Sequence, residues 1–517
     1  MGNAGGAGGP DLTQGVALSE IPDGGVLAGH VGEEAVLLYR SGGEVSAVGG
    51  TCTHYGGPLA EGVLEGDRVV CPWHHACFSL RTGEALRAPA LNPLPRWAVV
   101  REGERGERGE RVRVTEKQES EPYAPRQTAP AGAPGRLVIV GFGAAGASAV
   151  EWLLRQGWGG RIDVVEPDRD APYDRPNLSK DYLAGNAPEE WIPLRPPGWY
   201  EEHGVVLHRT SAGALDARRR MLTLGTGGEL AYDALLLATG ASPVRIPLPG
   251  EGPTGRPVLY LRSLADSRAI IRAAEGKRKA VVIGASFIGL EVAASLRARG
   301  LEVDVVAPEA VPFERVLGGE LGETIRALHE EHGVRFHLGR TAQRLERESV
   351  VLDDGSELGA QLVVVGVGVR PVLDLAQSAG LATDRGVLVD ERLRTSAPGI
   401  WAAGDIARYP DPATGERIRV EHWVVAQRQG AAAAADMIGR GAAFRDVPFF
   451  WSQHYDVPIN YVGHAEGWEE AKVEGDPGAR DCAVAYRKAG RTLAVATIYR
   501  DRESIEAEQR LGAAATR

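Results

Sequence analysis

The chain has 517 residues, 43% apolar and 25% charged, a balance that excludes wholesale disorder; this length carries an expectation of roughly three or four domains. The 68 glycines follow no collagen-like period, and a net charge of −11 argues against nucleic acid as the main partner. No apolar run is long enough to span a bilayer, and Met1-Gly-Asn-Ala-Gly-Gly lacks both regions of a secretory signal, so the expectation is a soluble cytoplasmic protein without a membrane partner.

Residues 1–10 are rich in Gly and Ala and read as unstructured. From 11 to 115, short runs of strand formers are broken by Gly and Pro; Ala35-Val-Leu-Leu-Tyr39, Arg68-Val-Val-Cys71 and Trp97-Ala-Val-Val-Arg101 are examples. They predict a small all-β domain. The Glu-Arg-Gly repeat at 102–111 reads as a solvated hairpin tip. Residues 116–135, with Pro122, Pro125, Pro130 and Pro134, read as a stiff, extended linker. From 136 onward apolar strands alternate with Ala- and Leu-rich helical stretches, the pattern of parallel α/β units. Arg136-Leu-Val-Ile-Val-Gly and Lys279-Ala-Val-Val-Ile-Gly repeat the same strand-to-glycine turn 143 residues apart. After about 445 an aromatic opening, Pro448-Phe-Phe-Trp-Ser-Gln, begins a last segment of short strands.

Of the four cysteines, Cys52, Cys71 and Cys77 crowd into one stretch while Cys482 lies far away, which points to a metal or redox centre rather than a disulfide framework. Cys52-Thr-His54 and Cys71-Pro-Trp-His74 each offer one thiolate and one imidazole, in loops stiffened by Gly56-Gly57-Pro58 and Pro72. Thiolates suit iron–sulfur clusters, and neutral imidazoles raise the potential of the iron they bind. A Cys₂His₂ zinc site is the alternative reading. The paired motifs resemble the Rieske family, which implies a [2Fe–2S] cluster with Cys52 and Cys71 on one iron and His54 and His74 on the other. Cys77 reads as a small packing residue, and His75 stands where that family usually has glycine.

Val138-Ile-Val-Gly141-Phe-Gly143-Ala-Ala-Gly146 is a G-x-G-x-x-G turn between strand and helix, and Glu166 ends the next strand where an adenosine ribose is bound. In the second unit, Gly284-Ala-Ser286-Phe287-Ile288-Gly289-Leu-Glu291, Ser286 replaces the middle glycine, and Ala307 stands where the ribose acid is expected, with Glu309 two residues on. NADH and NADPH both remain open, with a lean to NADH.

Thr239-Gly240, Val364-Val-Gly366-Val-Gly368-Val-Arg370-Pro371 and Gly404-Asp405 together resemble the two-dinucleotide flavoprotein reductases. Tyr173-Asp-Arg175-Pro-Asn-Leu-Ser179-Lys180 narrows the resemblance to oxygenase-coupled ferredoxin reductases, rubredoxin reductases and apoptosis-inducing-factor-like proteins. That resemblance implies FAD at the first glycine motif, with contacts from Arg175 and Asp405, and a nicotinamide cofactor on an inserted domain, with contacts from Gly284, Phe287, Ile288, Gly289 and Gly368. It places Trp423 near the flavin ring. Lys180 and Glu291 are the implied catalytic pair: a cation at the flavin edge favours the negatively charged reduced form, and a carboxylate fixes that cation.

The implied architecture is a Rieske domain (11–115), the linker (116–135) and an FAD domain (136–260 and 378–444). An NAD(P)-binding domain (261–377) interrupts the FAD domain, and an α+β carboxy-terminal reductase domain (445–517) follows. Residues 78–481 contain no cysteine, so disulfide-reductase chemistry is excluded. The implied function passes electrons from NADH or NADPH through FAD to the cluster and then to an unidentified acceptor. Rieske potentials of about −150 to +300 mV make that direction downhill. A redox-sensing interaction protein and an NADH oxidase are the alternatives.

Overall fold

A computed structural model describes residues 8–103, 109–118, 123–124, 127, 132–250 and 257–514. Residues 1–7, most of the expected unstructured start, and 104–108, half of the expected hairpin tip, lie outside them. Contacts divide the chain into two units. One comprises Met1–Gln127 with Glu151–Trp158 and Asp501–Arg510; the other comprises Thr128–Val150, Gly159–Arg500 and Leu511–Arg517.

The first unit is built on a six-stranded antiparallel sheet and a smaller four-stranded one, Val63–Glu65, Arg68–Val70, Cys77–Ser79 and Ala85–Arg87. The strand Glu34–Ser41 shows how one sequence serves two cores, because successive side chains leave a strand on opposite faces. Val36 and Leu38 pack with Ala47, Trp97, Val112 and Val114. Leu37 and Tyr39 pack with Val48, Phe78, Cys52 and Cys71. The sheet thus presses an apolar wall against both cysteine loops. Strand Arg111–Gln118 runs into the first residues of the expected linker. Further along, Tyr123 donates to Glu151 at 2.7 Å and the Gln127 N–H donates to the Gly157 carbonyl at 2.7 Å. Both contacts lie within this unit, and residues 119–122, 125–126 and 128–131 of the expected linker lie outside the described residues.

The second unit holds two parallel five-stranded sheets. The first has the order Val205–His208, Arg161–Val165, Arg136–Val140, Ala234–Leu237, Ile400–Ala402. The second has Leu259–Tyr260, Leu362–Val365, Lys279–Ile283, Glu302–Ala307, Val334–Leu338. It therefore begins at Leu259, two residues before the expected boundary, because Leu259 and Tyr260 pair with Val364 and Val365. An antiparallel five-stranded sheet follows, beginning at Phe449–His454, and its Phe450 and Tyr461 share a core with Val282 and Leu290. Among the described residues no helix is long and apolar enough to cross a membrane.

The internal repeat extends further than the glycine turns. Asp163 and Asp304 occupy equivalent places in the two parallel sheets, each opposite a valine of the central strand, Val138 and Val281. Each carboxylate is buried and held by Arg and His: Asp163 by Arg136 (2.7 Å), Arg161 (2.8 Å) and His208 (2.8 Å), Asp304 by Arg335 (2.8 Å) and His337 (2.8 Å). Burial pushes the Asp163 carboxyl up, but the bonds from Arg161, Arg136 and His208 outweigh it and hold it well below the usual carboxylate range. Its ionisation therefore stabilises the fold fully above its unfolded value of about 4, and that stability is lost as pH falls towards the lowered folded value. Asp163→Asn is expected to cost about 1–3 kcal/mol near neutral pH, since it removes the charge from a buried acceptor of three charge-assisted hydrogen bonds whose donors are partly exposed. Thermal melts across pH check this: the deficit against the unsubstituted protein should shrink in acid.

Candidate cluster and dinucleotide sites

The two cysteine loops share one backbone design. In the first, the Cys52 N–H donates to the Gly57 carbonyl (2.9 Å) and the Cys52 carbonyl accepts from Gly56 (3.0 Å). In the second, the Cys71 N–H donates to the Ala76 carbonyl (2.8 Å) and its carbonyl accepts from His75 (3.2 Å). Each loop thus closes on its own cysteine with the same spacing, and the fourth residue after the cysteine is left-handed in both, Gly56 at φ +83° and His75 at φ +58°. Gly57 is required for a second reason: a Cβ there would lie 2.7 Å from the Cys71 Sγ.

The loops bring the four expected ligands together as two pairs. His54 and His74 face each other Nδ1 to Nδ1 at 3.2 Å, and the ring of Tyr55 stacks on His54 at 3.9 Å. Cys52 and Cys71 are free, buried thiols, and the hydrogen bond between them pushes Cys52 up and Cys71 down. Two sulfurs on one side and two ring nitrogens on the other suit a two-iron cluster with one pair on each iron. Among the described residues no three His, Cys, Asp or Glu side chains group as a single metal ion requires. Cys77 packs with Val70 and Ile505, as a small apolar residue.

His75 has a role that sequence reading missed. A left-handed backbone is uncommon for a non-glycine residue, and here the side chain is fully buried and tied down. Its Nδ1 is 2.6 Å from Glu508 Oε2 and its Nε2 is 3.2 Å from the Ser504 hydroxyl. Glu508 also accepts from Arg87 at 3.3 Å. The last helix, Asp501–Ala514, thereby clasps the second ligand loop one residue after His74. No local pattern signals this, because Glu508 lies 433 residues away in sequence. Glu508→Ala is expected to take the carboxylate from the buried His75 imidazole, at a cost of about 1–3 kcal/mol, and to loosen the loop. A lower melting temperature and faster loss of iron to a chelator would show it.

In the second unit a cleft of about 530 Å³ gathers most of the expected dinucleotide contacts: Gly141, Gly143, Glu166, Arg175, Lys180, Thr239, Gly240, Phe287, Ile288, Glu291, Gly368, Asp405 and Trp423 all line it. Three glycines lie beneath it instead, as parts of the turns. A Cβ at Gly146 would meet the Gly141 carbonyl at 2.0 Å; one at Gly284 would meet the Gly366 carbonyl at 2.4 Å; one at Gly289 would meet the Gly284 carbonyl at 2.2 Å. Gly143 is different, since its nearest neighbour is the far end of Arg175 at 3.4 Å. The turn therefore offers bare backbone to the cleft, the surface a pyrophosphate needs. Glu166 accepts from the Phe142 N–H at 2.7 Å and the Asp168 N–H at 2.9 Å, which fixes its carboxylate at the strand end.

Ser286 fills the second motif's middle position without obstructing the turn. Its hydroxyl donates to the Gly366 carbonyl (2.6 Å) and accepts from the Gly289 N–H (3.2 Å), capping helix Phe287–Ala298. Phe287 is half-buried, stacked on Phe313 at 4.4 Å and edge-on to Phe450 at 5.1 Å, so it serves both core and cleft. Ile288 is exposed on the same rim. Trp423 opens the tightly packed helix Trp423–Met437, in which a Cβ at Gly430 would strike the Ala145 carbonyl at 2.0 Å.

Lys180 and Glu291 form an ion pair of 2.9 Å, with Glu291 only 3% exposed. The carboxylate also accepts from Ser179 and from Ser452 (2.5 Å), and the ammonium donates to the Pro176 carbonyl (3.2 Å). A lysine held this way presents positive charge at a fixed point of the cleft wall. Arg262, which no motif marked, joins Asp405 at 2.7 Å. His422, next to the motif tryptophan, stacks on Phe450 at 4.0 Å and is pushed down to about 3 by burial, so it lines the cleft uncharged.

Comparison with known proteins identifies the domains that carry these residues. Residues 14–98 match the Rieske [2Fe-2S] domain, 135–430 the pyridine nucleotide-disulphide oxidoreductases, and 449–517 the reductase carboxy-terminal domain. Mouse (Mus musculus) apoptosis-inducing factor 3 is 32% identical over 496 residues, covering 94% of this chain and 81% of that protein. Putidaredoxin reductase of Pseudomonas putida is 34% identical over 383 residues, covering 72% of this chain and 90% of its own. The crystal structure of the covalent putidaredoxin reductase–putidaredoxin complex matches with a TM-score of 0.71 at 34% identity, over 74% of this chain and 94% of that one. Despite the family's name, the matched region 135–430 carries no cysteine here. The chain belongs to the pyridine nucleotide-disulphide oxidoreductases, as a ferredoxin-reductase-type, NAD(P)H-dependent flavoprotein that carries its own Rieske [2Fe–2S] domain.

Proposed function

We propose that this protein oxidises NADH, passes the electrons through FAD to the cluster held by Cys52, His54, Cys71 and His74, and delivers them singly to an outside acceptor. FAD, when bound, supplies the conversion between paired and single electrons. The chain's residues supply the rest. The Gly141–Gly143 turn receives the pyrophosphate, Glu166 the adenosine ribose, and Arg175 and Asp405 the remainder of the flavin nucleotide. Phe287, Ile288 and Gly368 receive the nicotinamide nucleotide, and Trp423 with His422 shields the cleft from water. Lys180, held by Glu291, favours the reduced, negatively charged form. The ion pair within a cleft shared by both glycine motifs is the observation that carries this reading.

The preference for NADH rests on the end of strand Glu302–Ala307. Ala307 is fully buried, and its carbonyl accepts from the Arg340 N–H at 3.1 Å. The Arg340 guanidinium is engaged by Asp354 at 3.2 Å, so this nearby cation is occupied by a carboxylate and not offered to a 2′-phosphate. Anaerobic titration with NADH and, separately, NADPH, followed by visible absorbance and electron paramagnetic resonance, tests the whole reading. The expected result is bleaching of the flavin, then the signal of a reduced cluster, at lower concentrations of NADH than of NADPH. Complete flavin reduction with a cluster that stays oxidised would overturn it. The similarity to apoptosis-inducing factor 3 over 94% of the chain favours one further reading, a redox-sensing interaction protein; slow turnover with a persistent flavin–nicotinamide charge-transfer band would select it.

A further inference from the structure

Behind the ion pair a line of buried polar groups leads away from the cleft. Ser452 Oγ is 2.5 Å from Glu291 Oε1 and 3.2 Å from His454 Nε2. His454 Nδ1 is in turn 3.1 Å from His329 Nε2. Ser452 is 1% exposed, His454 and His329 0%. Their packing neighbours are otherwise largely aromatic: Phe313 beside His454, Phe336 and Tyr455 beside His329. A buried polar chain in such surroundings is costly unless each member is satisfied. One atom is not: His329 Nδ1 is buried with no hydrogen-bond partner among the described residues.

Donor counting fixes the direction of the bonds. An ionised Glu291 beside Lys180 can only accept, so the Ser452 hydroxyl donates to it. Ser452 then accepts from His454 Nε2–H, and His454 Nδ1 accepts from His329 Nε2–H, which leaves His329 Nδ1 as a bare lone pair. When Glu291 carries a proton the same bonds can all run the other way, ending in an N–H at His329 Nδ1. Loss of that terminal proton shifts one proton along each bond and returns the first arrangement, with no ring having to move.

The function proposed above, on which this inference rests, needs such a device. Oxidising one NADH to NAD⁺ releases two electrons and one proton. The two electrons leave one at a time through iron, which carries no proton away, so a single proton must be discharged from the flavin site. We infer that Ser452, His454 and His329 form a proton relay serving Lys180 and Glu291, with His329 Nδ1 as the exchange end. Such a relay needs rings that pass a proton on instead of storing it. Burial, together with the charge of Lys180, pushes His454 down to about 3, and burial with His454 and His332 pushes His329 well below its ordinary value. The groups facing the two rings are Lys180, Glu291 and Ser452 at one end and Tyr455 and His332 at the other. The exposed His332 ring stacks on Tyr455 at 3.6 Å, next to His329.

The test uses the full holoprotein with Ser452→Ala, Ser452→Thr and His454→Gln, and has two readouts. In stopped flow, NADH should still bleach the flavin of Ser452→Ala. Reduction of the cluster should slow by about tenfold or more, the lower range of proton-transfer effects, and its solvent deuterium isotope effect should change. Ser452→Thr, which keeps the hydroxyl, should restore both. Independently of turnover, nitrogen-15 resonances of the oxidised protein should show His454 and His329 both protonated at Nε2, and Glu291→Gln should disturb this pattern. Equal cluster-reduction rates and isotope effects in all variants, or Nδ1–H tautomers in the oxidised protein, would overturn the relay. Failure of NADH to reduce the cluster in the unsubstituted protein would instead remove the function on which it rests.

Discussion

Glu291→Gln is expected to slow flavin reduction by NADH about 100-fold, the range typical of losing one preorganised electrostatic contact at a reaction centre. Glu291 is the meeting point of three donors, Lys180, Ser179 and Ser452, and is almost completely buried. An amide keeps the size and one acceptor oxygen but removes the countercharge, and it turns a second NH₂ donor towards a side chain that already donates. The mostly buried ammonium of Lys180 then keeps the Pro176 carbonyl but has no counter-ion, a loss of about 3 kcal/mol when a buried pair is broken on one side. It no longer has a fixed position at the cleft wall. Lys180→Met should give a comparable fall by removing the charge itself. The double variant should be little worse than either single one, because residues acting as a unit are strongly non-additive. Anaerobic stopped-flow absorbance measures all three. A threefold effect or less in both single variants would show that the pair is merely structural.

Cys71→Ala is expected to eliminate the iron–sulfur signal in electron paramagnetic resonance while the protein stays yellow. Cys71 supplies half of the thiol pair, and its Sγ also sits where Gly57 leaves room for it. Removing it leaves three of the four proposed ligands and a small cavity against the wall of Leu37, Tyr39 and Phe78, so the cluster should be lost altogether. Turnover with a one-electron acceptor supplied through the cluster should fall at least 100-fold. Iron analysis should report near zero per chain. The flavin absorbance should be retained, since no cluster ligand lies among the residues lining the dinucleotide cleft. His74→Ala should behave alike. A variant that kept its cluster spectrum would show that Cys71 is not a ligand.

How much of this was legible beforehand depended on the distance over which each contact acts. The cysteine loops and the glycine turns are local devices. Cys52-Thr-His54, Cys71-Pro-Trp-His74 and Gly141-Phe-Gly143 state their geometry within a few residues, because the backbone conformations they need are set by neighbouring residue types. The apolar run Ala35–Tyr39 likewise announced a strand, although not that its two faces would serve different cores. The start of the second parallel sheet at Leu259 was missed because a two-residue edge strand has almost no pattern of its own; it exists only through its pairing with Val364 and Val365.

By itself the sequence determined which domains this protein carries, through two Cys–His motifs of Rieske type, two glycine turns between strand and helix, one lysine in a diagnostic motif, and no cysteine where a disulfide reductase would need it. Only the tertiary structure decided which distant groups complete those devices. Glu508 secures the left-handed His75, Arg262 joins Asp405, and Ser452, His454 and His329 stand behind Glu291. The physical reason is that a buried polar group must find its partner wherever the fold brings one within about 3 Å, and residue types along a chain carry no record of which remote segment will arrive there.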